Sequence, residues 1–237
     1  MLIHYPLVIH HVWPGSDPFR FPDWRLSWMK YNPDASFRFW RDAHGLDKRV
    51  QQLMADQRYT PTVKSDVLRW AVLLEEGGIY ADTDMECLAP LTSFLNDSRG
   101  CFLAREDDKW VCGSLIFAVP HHPFVQRMLN ATLAALVTAK PNDANKNPNV
   151  ITGPHLITRV AMEYPKEVTL HTYHRFYPTH CWNRPVPPAP IQHAVTTHHW
   201  KSRWMEMGPT WREDVWEGKS QTAHCAEVVT SGGLPMK

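Results

Sequence analysis

The sequence predicts an α/β sandwich whose central sheet is mostly parallel and flanked by helices. Three observations carry that expectation. Short β-rich runs alternate with segments of helical periodicity, as in parallel strands joined by crossover helices. Proline or glycine marks many of the junctions. The chain of 237 residues, with 11 Trp and 9 Phe, holds enough apolar bulk for a well-buried core.

In chain order, Leu7 to Trp13 is β-rich and stops at Pro14-Gly15, a strand and a turn. Pro22-Asp23 opens a short helix through Trp24, Leu26 and Met29, closed near Asn32-Pro33. Ser36 to Trp40 reads as a strand and Leu46 to Met54 as a helix. Ser65 is the expected N-cap of the next helix, where Val67, Leu68, Ala71 and Leu74 recur at helical spacing. Gly77-Gly78 stops it. Glu75 and Glu76 then sit at the negative end of its dipole, a locally unfavourable place. Ile79 to Ala81 forms a strand leading into Asp82-Thr83-Asp84. Cys101 to Ala104 and Leu115 to Val119 are strand-like, and Pro123 to Ala139 is a long amphipathic helix. Lys140 to Pro148 reads as a solvated loop and Pro154 to Glu163 as a helix. Pro185, Pro187, Pro188 and Pro190 exclude a helix in their stretch. The last readable element, Ala194 to Trp204, is dense in His and Trp. A single domain is expected over residues 1–210, with 211–237 as a C-terminal tail.

Lys+Arg of 25 against Asp+Glu of 24 gives a formal charge of +1, which argues against a nucleic-acid partner held by blanket positive charge. Five widely spaced cysteines without a CxxC pair read as free thiols in a reducing compartment. The first residues lack the pattern of a secretion signal, and no stretch has the length of a membrane span. The expectation is a cytoplasmic protein, with peripheral membrane contact left open. Fourteen His supply groups that titrate near neutral pH or ligate metals.

Tyr80, Asp82 and Asp84 share one face if the strand stays extended through them. Two carboxylates there repel unless a cation or a basic partner lies between, and Mg²⁺ or Mn²⁺ takes oxygen ligands while bridging to phosphates. Upstream, Asp66 and Arg69 share a helical face. They read either as an ordinary ion pair or as a sugar-hydroxyl acceptor beside a fork for phosphate or sugar oxygens.

These residues resemble the signature of the DXD-containing sugar transferases of glycosyltransferase family 32: Ser65-Asp66-Val67-Leu68-Arg69, then Gly77-Gly78-Ile79-Tyr80-Ala81-Asp82-Thr83-Asp84. The catalytic domains of the large glucosylating bacterial toxins share the arrangement. The likeness extends from Val8-Ile9-His10-His11-Val12-Trp13, through Asn32-Pro33 and Phe39-Trp40, to Pro120-His121-His122-Pro123 and Thr152-Gly153-Pro154. It ends in His198-His199-Trp200 through Trp204. It implies a GT-A-like nucleotide-diphospho-sugar transferase fold and a retaining, metal-dependent glycosyltransferase. The implied donor is a UDP- or GDP-linked sugar, and the acceptor a saccharide, a lipid-linked group or a protein.

By the same resemblance, Trp13 stacks on the nucleobase, with a core Trp as the alternative. Ser65 belongs to the substrate site, Asp66 and Arg69 hold the donor sugar, and Tyr80 packs beside it. Asp82 faces ribose and metal, and Asp84 is a direct ligand of Mn²⁺ or Mg²⁺. One of His198 and His199 completes the shell, with Trp200 or Trp204 closing over the diphosphate. Two departures stand out. Lys201-Ser202-Arg203-Trp204 is bulkier and more basic than in relatives, and Gly113-Ser114 stands where an Asn of the acceptor region is usual. Two rival functions remain: a non-catalytic nucleotide-sugar or carbohydrate-binding module, and a metal-dependent phosphohydrolase.

Overall fold

The computed structural model describes residues 3–4, 7–15, 22–94, 96–97, 99–178 and 193–200. Its strands and helices, in order, are β1 (Ile3–His4), β2 (Val8–Val12), α1 (Pro22–Tyr31), β3 (Ser36–Trp40), α2 (Lys48–Ala55), α3 (Pro61–Glu76), β4 (Gly78–Ala81), β5 (Met85–Cys87), β6 (Asn96–Asp97), β7 (Cys101–Arg105), β8 (Val111–Ala118), α4 (Pro123–Thr138), α5 (Pro141–Lys146), α6 (Pro148–Ile151), α7 (Pro154–Glu163), β9 (Thr169–His171) and β10 (Thr196–His198).

The central sheet runs β3-β2-β4-β8-β7-β9, with β8 antiparallel to both neighbours and the other pairs parallel. The expected mostly parallel sheet is therefore present. Side-chain alternation divides the core into two layers. Tyr80, Leu103 and Ile116 face the layer shared with α2, α3, α4 and α7. Ile79, Ala81, Phe102 and Phe117 face the other, with Trp28 of α1, Met85, Phe176 and Tyr177. The parallel strands β2, β3 and β4 end at one edge of the sheet, where open α/β folds bind ligands.

Four sequence expectations change. Helix α3 starts a turn before Ser65: Thr60 is the N-cap and Pro61 takes the first position, where its missing N–H is no loss. Residues 140–148 are not a loop. Pro141 and Pro148 each start a short helix, and Asn145 accepts from Thr60 N at 2.9 Å, docking α5 against the start of α3. Third, β4 ends at Ala81, and Met85 N donates to the Asp82 carbonyl at 3.1 Å. The Asp-Thr-Asp segment is thus a turn, not extended chain. The strand expected from Leu115 begins four residues earlier, at Val111. The proline-rich segment, the tail and Trp204 lie outside the described residues.

The Gly77-Gly78 stop is doubly constrained. Both residues have positive φ, and a Cβ would stand 2.5 Å from Pro120 Cδ at Gly77 and 2.5 Å from the Val8 carbonyl oxygen at Gly78. Glu76 gains a partner in Arg38, at 3.5 Å. Adjacent His10 and His11 serve the framework. Trp40 Nε1 donates to His10 Nδ1 at 3.0 Å, so His10 Nε2 carries the proton and donates to the Gly77 carbonyl at 2.9 Å. His11 Nδ1 donates to the Ala81 carbonyl at 2.9 Å. Burial lowers both imidazoles to about 4, keeping them neutral. Cys87, Cys101 and Cys112 are buried and form no disulfide.

Candidate active site

The site forms where β4 runs out. Asp82 N donates to the Ser114 carbonyl at 2.8 Å, holding the turn against β8. Tyr80 donates its hydroxyl to Asp82 Oδ1, and burial pushes its phenol well above the ordinary value. The turn leads into β5, which Trp28 Nε1 anchors through the Met85 carbonyl at 2.8 Å. Strand β10 pairs antiparallel with β5, Met85 opposite His198, so a segment more than 100 residues away in sequence closes on the turn. His198 Nε2 lies 3.0 Å from Asp84 Oδ1, both residues being buried. Burial opposes a charged His198, but the Asp84 carboxylate outweighs it and raises the imidazole well above its ordinary value.

Ligand atoms of Asp82, Asp84 and His198 all lie within 4.8 Å of one another. Donors about 2.1 Å from one ion stand about 3 to 4 Å apart, so these side chains would draw in by up to about 1 Å around it. Two carboxylates and one imidazole therefore suit a divalent ion, which would take the place now held by the His198 proton. His199, the other candidate for that position, is elsewhere. Neighbouring residues of an extended segment point to opposite sides, so its Nε2 lies 3.0 Å from Glu86 Oε2 and its ring stacks on Trp24 at 4.0 Å.

Beside this cluster, α3 presents Asp66 and Arg69, both buried. Arg69 Nη2 donates to Asp66 Oδ1 at 2.6 Å and stands 3.6 Å from Asp82 Oδ1, while Nη1 donates to the Gly113 carbonyl at 2.8 Å. The guanidinium also lies 5.0 Å from the centre of the Tyr80 ring. Far from an exposed helical pair, Arg69 ties α3 to β8 and to the DXD turn. Gly113 is part of this arrangement, since a Cβ there would meet Arg69 Nη1 at 2.6 Å. Gly113-Ser114, read from sequence as a departure, thus seats Arg69 and Asp82. Burial raises the Asp66 carboxyl, opposed by Arg69 and by the Thr152 hydroxyl.

The remaining expected residues are more scattered. Ser65 is half-buried in α3, and its carbonyl is 3.5 Å from Arg69 Nε. Trp13 follows β2 and is only 6% exposed. A cavity of about 920 Å³ is lined by the residues that follow, Pro14 and Gly15, with Arg41, Thr60, Pro61 and Lys64, but not by Trp13 itself. Trp200 lies against His198, ring centres 4.0 Å apart, and its φ of 54° is strained for a bulky residue. Sequence reasoning gave no role to Ser114, Tyr177 and Thr152. Ser114 Oγ donates to the Tyr177 hydroxyl at 3.2 Å and lies 3.5 Å from His198 Nδ1. Thr152 carried a signal in the Thr-Gly-Pro landmark, but nothing in that tripeptide named its partner.

Comparison with known proteins fits this geometry. Residues 18–101 match the family model described as a glycosyltransferase sugar-binding region containing a DXD motif. The chain holds its Asp82-Thr83-Asp84 turn within that match. It is 27% identical over 135 residues to a mannosyl phosphorylinositol ceramide synthase of Saccharomyces cerevisiae, covering 53% of this chain and 34% of the relative. It is 28% identical over 130 residues to inositol phosphoceramide mannosyltransferase 2 of Schizosaccharomyces pombe, covering 52% and 37%. The match therefore spans little more than a third of these curated relatives. Among solved structures, the PaToxG glycosyltransferase superposes with a TM-score of 0.53 at 20% identity, over 69% of this chain and 72% of that one. The fold is the GT-A fold of glycosyltransferases. No described helix is long and apolar enough to cross a membrane.

Proposed function

We propose that this chain is a metal-dependent glycosyltransferase that moves a sugar from a nucleotide diphosphate to a hydroxyl acceptor with retention of configuration. One observation carries the reading: Asp82, Asp84 and His198 converge on one point directly beside the buried Asp66–Arg69 pair. A divalent ion held by the three residues would neutralise charge building on the leaving diphosphate. Arg69, permanently charged, adds a fixed donor next to it. Trp13 offers its flat face to the nucleobase only if the ring, now 6% exposed, is uncovered on binding. Asp66 has both oxygens engaged by Arg69 and Thr152, which makes it a poor nucleophile and favours same-face transfer over a covalent intermediate. Trp200, against His198, closes the diphosphate end.

The yeast relatives' names make a mannose-linked nucleotide the first donor to test. The acceptor class is a saccharide, a lipid-linked group or a protein. The decisive experiment offers GDP- and UDP-sugars with Mn²⁺ and follows release of free or transferred sugar. Release that stops with chelator and in Asp84→Asn supports the reading. Binding without turnover of any donor would make the chain a binding module, and a sugar phosphate product would make it a phosphohydrolase.

A further inference from the structure

We propose that Thr152 is a positioning residue for the donor sugar, acting through Asp66. The inference rests on the nucleotide-sugar reading above. Thr152 is 1% exposed, and its hydroxyl lies 2.5 Å from Asp66 Oδ2 and 3.2 Å from the Pro148 carbonyl. A hydroxyl has one proton to give, and an ionised carboxylate is the stronger acceptor, so the proton goes to Asp66. Asp66 Oδ1 already accepts from Arg69 at 2.6 Å. With one bond on each oxygen the carboxylate cannot rotate about its final bond. About four acceptor sites minus these two leaves it able only to accept, and from fixed directions.

That chemistry selects the ligand group. An acceptor-only carboxylate repels phosphate and takes hydroxyl donors, so the site divides its work. Arg69 and the metal cluster face the diphosphate, and Asp66 reads the hydroxyls of the sugar ring. Thr152 is itself held by a tight turn. Both Thr152 N and Gly153 N donate to the Pro148 carbonyl, at 2.9 and 2.8 Å, and a Cβ on Gly153 would stand 3.0 Å from Asn149 Cα. Pro154 then starts α7. The Thr-Gly-Pro tripeptide is thus a device that delivers one hydroxyl to one carboxylate.

The test is calorimetry with Mn²⁺ on wild type, Thr152→Val and Thr152→Ser, using GDP-mannose and UDP-glucose against GDP and UDP. Valine keeps the shape and removes the hydroxyl, whereas serine keeps the hydroxyl. Thr152→Val is expected to weaken the preferred sugar nucleotide about tenfold. It should leave the matching nucleoside diphosphate unchanged, and Thr152→Ser should bind as wild type does. Unchanged sugar-nucleotide binding in Thr152→Val overturns the proposal. An equal loss for the nucleoside diphosphate also overturns it, by showing a merely structural role. If thermal melting shows that Thr152→Val does not fold, Thr152→Ala against Thr152→Ser decides by the same two readouts. A wild-type protein that binds none of the four nucleotides refutes the proposed function itself, and this inference with it.

Discussion

Replacing Gly113 with alanine should separate the stability of the fold from the competence of the site. The new Cβ would lie 2.6 Å from Arg69 Nη1 and 2.7 Å from Ile157 Cδ1. Ordinary contact begins near 3.4 Å, so each neighbour must retreat by about 0.8 Å. Both are tips of flexible side chains, and Gly113 is not among the glycines at positive φ, so the backbone accepts alanine without strain. Overpacking of this kind destabilises by about 1 kcal/mol or a little more. For a chain of this size that lowers Tm by roughly 2–4 °C per kcal/mol. The site suffers more. Arg69 must leave the Gly113 carbonyl at 2.8 Å and shift against Asp66 and Asp82. A misplacement near 1 Å is worth about 100-fold in rate. Sugar-nucleotide hydrolysis and a melting curve on the same preparation provide the assay. A folded Gly113→Ala with kcat/KM within about twofold of wild type would refute the view that Arg69 is held in working position by β8.

Three further predictions follow from the same geometry. His198→Ala should weaken Mn²⁺ binding by about 10–100-fold, as loss of a ligand costs at least what loss of its support does. His199→Ala should leave it unchanged because that ring sits on Trp24 and Glu86; equal effects in a Mn²⁺ titration would contradict the assignment. Asp84→Asn should remove Mn²⁺-dependent turnover while the protein stays folded, and activity that survives would count against the metal site. Acid should destabilise the fold through His10 and His11, whose folded values of about 4 lie below 6.5. The unfolded chain binds more protons in that window, so their contribution is complete above pH 6.5 and lost as pH falls to 4. The loss is up to about 3 kcal/mol per histidine. His198, raised instead, acts only above pH 6.5 and in the opposite sense. Urea midpoints that stay flat from pH 7 to 4.5 would dismiss the role given to the pair.

The amino-acid sequence alone determined the α/β class and the location of the DXD turn. Both are set by local signals: strand and helix periodicity, the Gly77-Gly78 stop, and two carboxylates just past a strand. Strand β3 and helix α7 were legible to the residue because Ser36 to Trp40 and Pro154 to Glu163 carry their own boundaries. The helical turns after Pro141 and Pro148 were not. Their polar composition matches that of a loop, and docking through Asn145 is a tertiary contact.

Only the tertiary structure decided which histidine meets the carboxylates. His198 and His199 are equivalent in composition, and the register of β10 on β5 turns one toward Asp84 and the other toward Glu86. It also decided what Asp66 and Arg69 are. Three residues apart on a helix, they form an ordinary ion pair by spacing alone. The approach of Gly113, Thr152 and Asp82 from separate elements makes them a buried, oriented pair. Such contacts span 13 to 86 residues of chain and depend on hydrogen-bond register and side-chain volume, which local sequence pattern does not encode.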